Sequence, residues 1–236
     1  EGVTFKAGEN QANGEITIKR EGMAVVNYLL PLQLGHCSNE SIICRDEVCY
    51  LRVGRTYTNP IISDKSVPDP SVIRANDGYF YLYATQTKTY WMPVYRSKDL
   101  VNWEYQGTAF NKATEPDLPG GGAFWAPEIR FLNGKYVLYY SWAKMNGADI
   151  SYTAVAVGDT PMGPFLDSKE LIGNKEFGSN CIDQFYYEED GKKYMFFGSF
   201  KGIYVTELED DVLTVKLGHD GKPTLKKQVC GDAFEG

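Results

Sequence analysis

The sequence predicts an all-β protein made of repeated four-stranded sheets, and three observations predict it. Apolar runs are short and punctuated by turn residues, with 24 Gly and 11 Pro among 236 residues. Aromatic side chains that favour strands are abundant, with 17 Tyr, 12 Phe and 4 Trp. A third signal is repetition. Asp69-Pro70-Ser71-Val72-Ile73-Arg74, Ala126-Pro127-Glu128-Ile129-Arg130 and Ile182-Asp183-Gln184-Phe185-Tyr186 each lead into an Asp-Gly or Asn-Gly pair and then an aromatic strand. No helix longer than a turn or two is predicted.

The elements follow in order. The turn glycines Gly78, Gly134 and Gly191 lie 56 and 57 residues apart and read as two-residue type I′ hairpins. Two further strands follow each hairpin, as at Val94–Ser97 and Tyr152–Val157. Four antiparallel strands per repeat is the unit of a propeller blade; a solenoid repeats at a shorter interval and a sandwich does not repeat so evenly. Three blades do not close a ring, for which about four to eight are typical. The chain is therefore expected to be a piece of a longer protein, with residues 57–236 forming part of a propeller. Residues 1–53 read differently. Val3, Phe5, Ile16, Ile18 and Tyr28–Leu32 suggest short strands, with turns at Gly8, Asn13-Gly14 and Gly35 and a hairpin around Arg45–Glu47. This segment is expected to be part of a small β-sandwich-like domain, with a linker at Tyr57–Asp64.

Composition narrows the function. Hydrophobic residues at 43% and charged residues at 23% allow a substantial core. Lys+Arg 24 against Asp+Glu 31 gives a net charge of −7, which argues against nucleic acid as a partner. No apolar run reaches the roughly 18 residues of a membrane span, and no signal peptide opens the chain. Cys37, Cys44, Cys49, Cys181 and Cys230 form no CxxC pair. One disulfide among the first three is open, but unpaired structural thiols are favoured. With only His36 and His219 beside them, no zinc site is indicated. The sequence has no GxSxG or HExxH, and Gly120-Gly121-Gly122 lacks the Lys-Ser/Thr of a phosphate loop.

The chemistry is expected where the innermost strands begin, because a propeller brings those positions to one funnel. Asp69 opens the first repeat, Asp183 the third, and Glu235 lies where a fourth should open. Three carboxylates on one funnel suit glycosidic hydrolysis, with one as base on water and another, kept protonated by repulsion and burial, as acid. Singly, each has a plainer explanation: Asp69 precedes Pro70 as a turn starter, Asp183 can cap a turn, and Glu235 stands near the chain end. Their shared repeat position is what joins them. In the second repeat Trp125 aligns with Asp69, which leaves Glu128 three residues deeper as a structural hydrogen-bonding residue. Trp125, Phe124 and Trp91, with Tyr90, are candidate faces for stacking on sugar, whereas Trp103 and Trp142 read as core.

Four stretches make the sequence recognisable. Val67-Pro68-Asp69-Pro70-Ser71-Val72-Ile73, Trp125-Ala126-Pro127-Glu128-Ile129, Ser179-Asn180-Cys181-Ile182-Asp183 and Ala233-Phe234-Glu235-Gly236 together resemble glycoside hydrolase family 43. Arg96–Trp103 and Thr160–Phe165 resemble its inter-strand turns. The resemblance spans about residues 57–236 and implies a five-bladed β-propeller, of which about three blades are present. It further implies inverting hydrolysis of arabinose- and xylose-containing polysaccharides, with Asp69 as general base, Glu235 as general acid and Asp183 tuning and orienting the acid. Exo-acting α-L-arabinofuranosidase or β-xylosidase activity comes first and endo-arabinanase second; a carbohydrate-binding propeller without catalysis is the alternative, and a protein-interaction array lacks its repeat signatures. A secreted, periplasmic or cell-surface location is expected, with an oligo- or polysaccharide as partner. No cofactor is required, although an axial calcium or sodium ion is compatible with such a fold. The sequence departs from the family pattern at Gln184, where Pro is frequent, and that change is expected to affect only the local turn. Residues 1–53 resemble the end of a small β-sandwich domain that precedes such propellers.

Overall fold

A computed structural model of the chain describes residues 17, 28–33, 48–53, 60–63, 65–120, 122–144, 151–178, 181–199 and 202–231. The chain divides into two compact units, Glu1–Thr58 and Asn59–Gly236. In the first, β1 (Tyr28–Gln33) pairs antiparallel with β2 (Val48–Val53), from Tyr28 opposite Val53 to Gln33 opposite Val48. The other strands expected in this segment, and the hairpin at Arg45–Glu47, lie outside the described residues, as do Cys37 and Cys44.

The second unit holds three four-stranded antiparallel sheets, each in chain order. Blade 1 comprises β3 (Ser71–Arg74), β4 (Phe80–Tyr83), β5 (Pro93–Ser97) and β6 (Glu104–Thr108). Blade 2 comprises β7 (Ala123–Leu132), β8 (Lys135–Ala143), β9 (Tyr152–Gly158) and β10 (Leu166–Ile172). Blade 3 comprises β11 (Phe185–Glu189), β12 (Lys192–Ser199), β13 (Gly202–Leu208) and β14 (Lys227–Cys230), and the one helix among the described residues is the single turn α1 (Asn174–Phe177).

Strand β8 shows why the sheets stack. From Tyr136 to Ala143 every residue is buried, and the two-residue period of a strand deals its side chains to opposite faces. Tyr136, Leu138, Tyr140 and Trp142 join Tyr83, Val94, Phe110 and Phe165 in a core that spans blades 1 and 2. Val137 and Tyr139 join Phe177, Tyr186, Met195 and Phe197 in a core that spans blades 2 and 3. A strand buried on both faces is the signature of a middle layer.

Two of the three hairpins have the expected turn. Asn133 and Gly134 lie at φ +51° and +77°, and Asp190 and Gly191 at +52° and +74°, so both central residues are left-handed as type I′ requires. The expectation of the same turn at Asp77-Gly78 is corrected: only Gly78 has positive φ there, the Ala75 N–H bonds the Tyr79 carbonyl at 2.8 Å, and three residues form the loop. Asp77 accounts for the difference, because its Oδ1 accepts the Tyr79 N–H at 3.0 Å and builds an Asx turn.

Candidate active site

The first strands of the three sheets, β3, β7 and β11, converge. Ser71 Oγ accepts the Ile129 N–H at 3.1 Å, and Arg130 reaches the Tyr186 carbonyl at 3.4 Å. Between them lies a cavity of about 480 Å³ whose lining includes Val72, Arg74, Arg130, Phe131, Phe185 and Tyr187. This is the axial arrangement of a propeller. Asp69 and Asp183 stand just before β3 and β11, at the ends where these strands begin, and are not among the residues lining that cavity.

The two aspartates occupy equivalent backbone positions. Asp69 has φ +51° and Asp183 +56°, both in the left-handed region that Asp tolerates better than most residues. The carbonyl before each accepts an N–H from the end of the neighbouring strand: Thr85 to Pro68 at 3.0 Å, and Gly198 to Ile182 at 2.7 Å. Blade 2 holds the third equivalent at Ala126, with φ +41°. In every blade this residue stands two before a paired residue of the inner strand, Ser71, Glu128 or Phe185. The expected alignment of Trp125 with Asp69 is therefore corrected by one residue, and Glu128 sits two, not three, beyond the equivalent position. The cause is a β-bulge between Trp125 and Glu128.

Ala126 carries no carboxylate, but its turned backbone serves both neighbours. Its N–H donates to Thr85 Oγ1 at 2.7 Å, and Thr85 Oγ1 donates to Asp69 Oδ2 at 2.6 Å. On the other side its carbonyl accepts a short hydrogen bond from Gln184 Nε2. Ser141 Oγ donates to Gln184 Oε1 at 3.0 Å and accepts the Asp183 N–H at 2.9 Å. One hydrogen-bonded chain thus runs from the carboxylate of blade 1, through blade 2, to the backbone of Asp183 in blade 3. Sequence reasoning missed Thr85, Ser141 and this role of Gln184. A serine inside the otherwise apolar Tyr136–Ala143 run was the available signal. The expectation that Gln184 affects only a turn is corrected, since the residue is 5% exposed and its side chain ties two blades.

Electrostatics set Asp183 apart. Burial of its carboxyl, and then the negative charge of Asp69, push it above the ordinary aspartate range. The two groups are thus close enough to interact. Glu235, the third expected carboxylate, lies outside the described residues.

The aromatic candidates divide. Phe124 is 2% exposed, with its ring stacked on Phe110 at 4.5 Å and edged by Trp142 at 5.2 Å, so the expectation that it offers a face to sugar is corrected. Trp125 and Trp91 are half-buried, Trp91 leaning on Phe124 at 6.2 Å. Trp142 is core, its indole N–H bonded to the Pro119 carbonyl at 3.0 Å, and Trp103 is half-buried against Leu82 and Tyr95. Glu128 is buried and ion-paired to Arg130 at 2.6 Å; burial raises its carboxyl and Arg130 opposes the rise. Cys181 and Cys230 are unpaired, and burial pushes the Cys181 thiol up to about 12. Among the described residues no group of three or more His, Cys, Asp or Glu could hold a metal ion, and no helix is long and apolar enough to cross a membrane.

Comparison with known proteins agrees with this geometry. A β-xylosidase of Bacillus subtilis is 29% identical over 65% of this chain and 30% of its own length. A non-reducing end α-L-arabinofuranosidase of Bacteroides ovatus is 28% identical over 66% of this chain and 28% of its own. The chain therefore spans less than a third of either relative. Among solved structures, the α-L-arabinanase of Cellvibrio cellulosa complexed with arabinohexaose superposes with a TM-score of 0.55 at 29% identity, covering 68% of this chain and 58% of that one. Residues 57–230 match the profile of glycosyl hydrolases family 43, and the chain belongs to that family.

Proposed function

We propose that the protein to which this chain belongs is an inverting glycoside hydrolase of arabinose- and xylose-containing plant polysaccharides. Asp69 is the general base, Glu235 the general acid, and Asp183 the group that orients the acid and holds up its pKa. The observation that carries this reading is the pairing of Asp69 with Asp183 at equivalent strand starts, joined through blade 2 and coupled in charge. Thr85 binds Oδ2 of Asp69, which leaves Oδ1 to take a proton from water. The water oxygen attacks the anomeric carbon as Glu235 gives its proton to the departing oxygen on the opposite face. Base and acid then stand about 6.5–9.5 Å apart, with room for that water.

The names of the relatives support exo-acting β-xylosidase or α-L-arabinofuranosidase activity first. An extracellular endo-α-(1→5)-L-arabinanase of Bacillus subtilis, 27% identical over 64% of this chain, supports arabinan as a second substrate and action outside the cytoplasm. The half-buried Trp125 and Trp91 are the stacking faces for sugar. The reaction as written needs no cofactor.

The test is turnover by the full-length protein on an aryl α-L-arabinofuranoside, an aryl β-D-xyloside and linear arabinan. Asp69→Ala is expected to lower kcat by about 10²–10⁴-fold without unfolding the protein, as loss of a general base does. Retained turnover removes Asp69 as base. A folded native protein that binds polysaccharide and cleaves none of the three replaces this reading with a binding module.

A further inference from the structure

Gln184, whose backbone leads into blade 3, is the member of the cross-blade chain whose side-chain amide bonds blade 2 at both of its ends. Its amide is buried, and both ends are partnered. The orientation is dictated: the Ala126 carbonyl can only accept, so it takes Nε2–H, and Oε1 faces the Ser141 hydroxyl. That hydroxyl is itself fixed, because its oxygen accepts the Asp183 N–H at 2.9 Å. Ala126 offers its carbonyl sideways only because the bulge and its φ of +41° turn the peptide out of the β7–β8 ladder. The same residue's N–H holds Thr85 against Asp69. A shift of the Gln184 amide is therefore felt at both aspartates.

We infer that Gln184 is a positioning residue that fixes where Asp183 stands relative to Asp69, by bridging Ala126 and Ser141 of blade 2. The inference rests on the catalytic reading of the two aspartates given above. A proline at this position has no amide to make either bond, so the bridge is a property of this chain's own residue. Losing it leaves a buried carbonyl and hydroxyl short of a partner, and displacement of a reacting group by about 1 Å costs up to about 10²-fold in rate.

Two variants of the full-length protein test it. Gln184→Leu keeps the bulk and removes both bonds; kcat is expected to fall about 10–100-fold with KM little changed. Gln184→Glu is nearly isosteric and carries its own control. As a carboxylate it presents only acceptors to the Ala126 carbonyl, and its charge adds to those of Asp183 and Asp69; blade 2 faces it with the neutral Ala126 carbonyl and Ser141 hydroxyl. As a neutral acid it donates to Ala126 and accepts from Ser141, restoring both bonds. The ratio of its kcat to that of the native protein is therefore expected to rise as pH falls, while circular dichroism stays native. A ratio independent of pH, or a Gln184→Leu protein with native kcat, overturns the inference, and if Gln184→Leu does not fold the pH ratio decides. Asp69→Asn separates the two readings. An inactive Asp69→Asn protein with indifferent Gln184 variants removes only the positioning role, whereas an active Asp69→Asn protein removes the catalytic reading itself.

Discussion

Asp183 illustrates the stability cost that the proposed chemistry places on a single residue. Its folded-state pKa lies above the ordinary aspartate value because of burial and the charge of Asp69. Folding therefore favours the protonated form. Relative to a neutral side chain, no penalty exists below the ordinary aspartate pKa, and the penalty grows as pH rises through the folded-state value. Asp183→Asn is accordingly expected to raise Tm at neutral pH, with the gain vanishing as the solution is acidified below the usual aspartate range. Thermal melts of both proteins across pH check this, and an equal gain at all pH values contradicts it. Activity is expected to move the other way, as it does where stability is given up for a charged site. Glu128 makes the contrast. It reads in the sequence as a structural hydrogen-bonding residue, and it is buried in an ion pair with Arg130. Glu128→Ala would strand the Arg130 charge and is expected to cost about 1–3 kcal/mol, measured by urea unfolding, with Arg130 partly exposed and so less demanding than a fully buried partner.

Strands and turns explain how those residues are held. Gly198 ends the stretch of β12 that supports Asp183, since its N–H holds the Ile182 carbonyl at 2.7 Å. At φ +131° it has a conformation that side chains rarely adopt, and a Cβ there would stand 2.1 Å from the Gly202 carbonyl oxygen. Gly198→Ala is therefore expected to cost about 2–4 kcal/mol and to lower activity with it. Leu138 offers the comparison within β8: fully buried between blades 1 and 2, its change to Ala should cost about 2–5 kcal/mol while leaving kcat near native in the fraction that stays folded. Denaturant titration paired with kinetics separates the two. A Gly198→Ala protein as stable as the native one contradicts the assigned close approach.

At the scale of the whole molecule, the repeat was legible because each blade uses the same local chemistry. Turn pairs at Asn133-Gly134 and Asp190-Gly191 and the alternating aromatic runs after them report strand period and hairpin type directly. Asp69 and Asp183 were legible for the same reason, as acidic residues at one repeat position. Phe124 was misread because its neighbour Phe110 comes from another blade, and no local pattern reveals that stack. The chain Asp69–Thr85–Ala126–Gln184–Ser141 was out of reach for a related reason. It joins residues from three sheets, runs partly through backbone atoms, and depends on a bulge that displaces Ala126 by one place.

The central claim is that water, activated by Asp69, attacks opposite a leaving group protonated by Glu235. Proton NMR of the anomeric signals during hydrolysis of an aryl glycoside by the full-length protein tests it most directly, with Asp69→Ala and Glu235→Gln run alongside. The account predicts that the first sugar released has the anomeric configuration opposite to that of the substrate, and that both variants release it far more slowly. First-formed sugar of the same configuration as the substrate, or native rates from either variant, would contradict it.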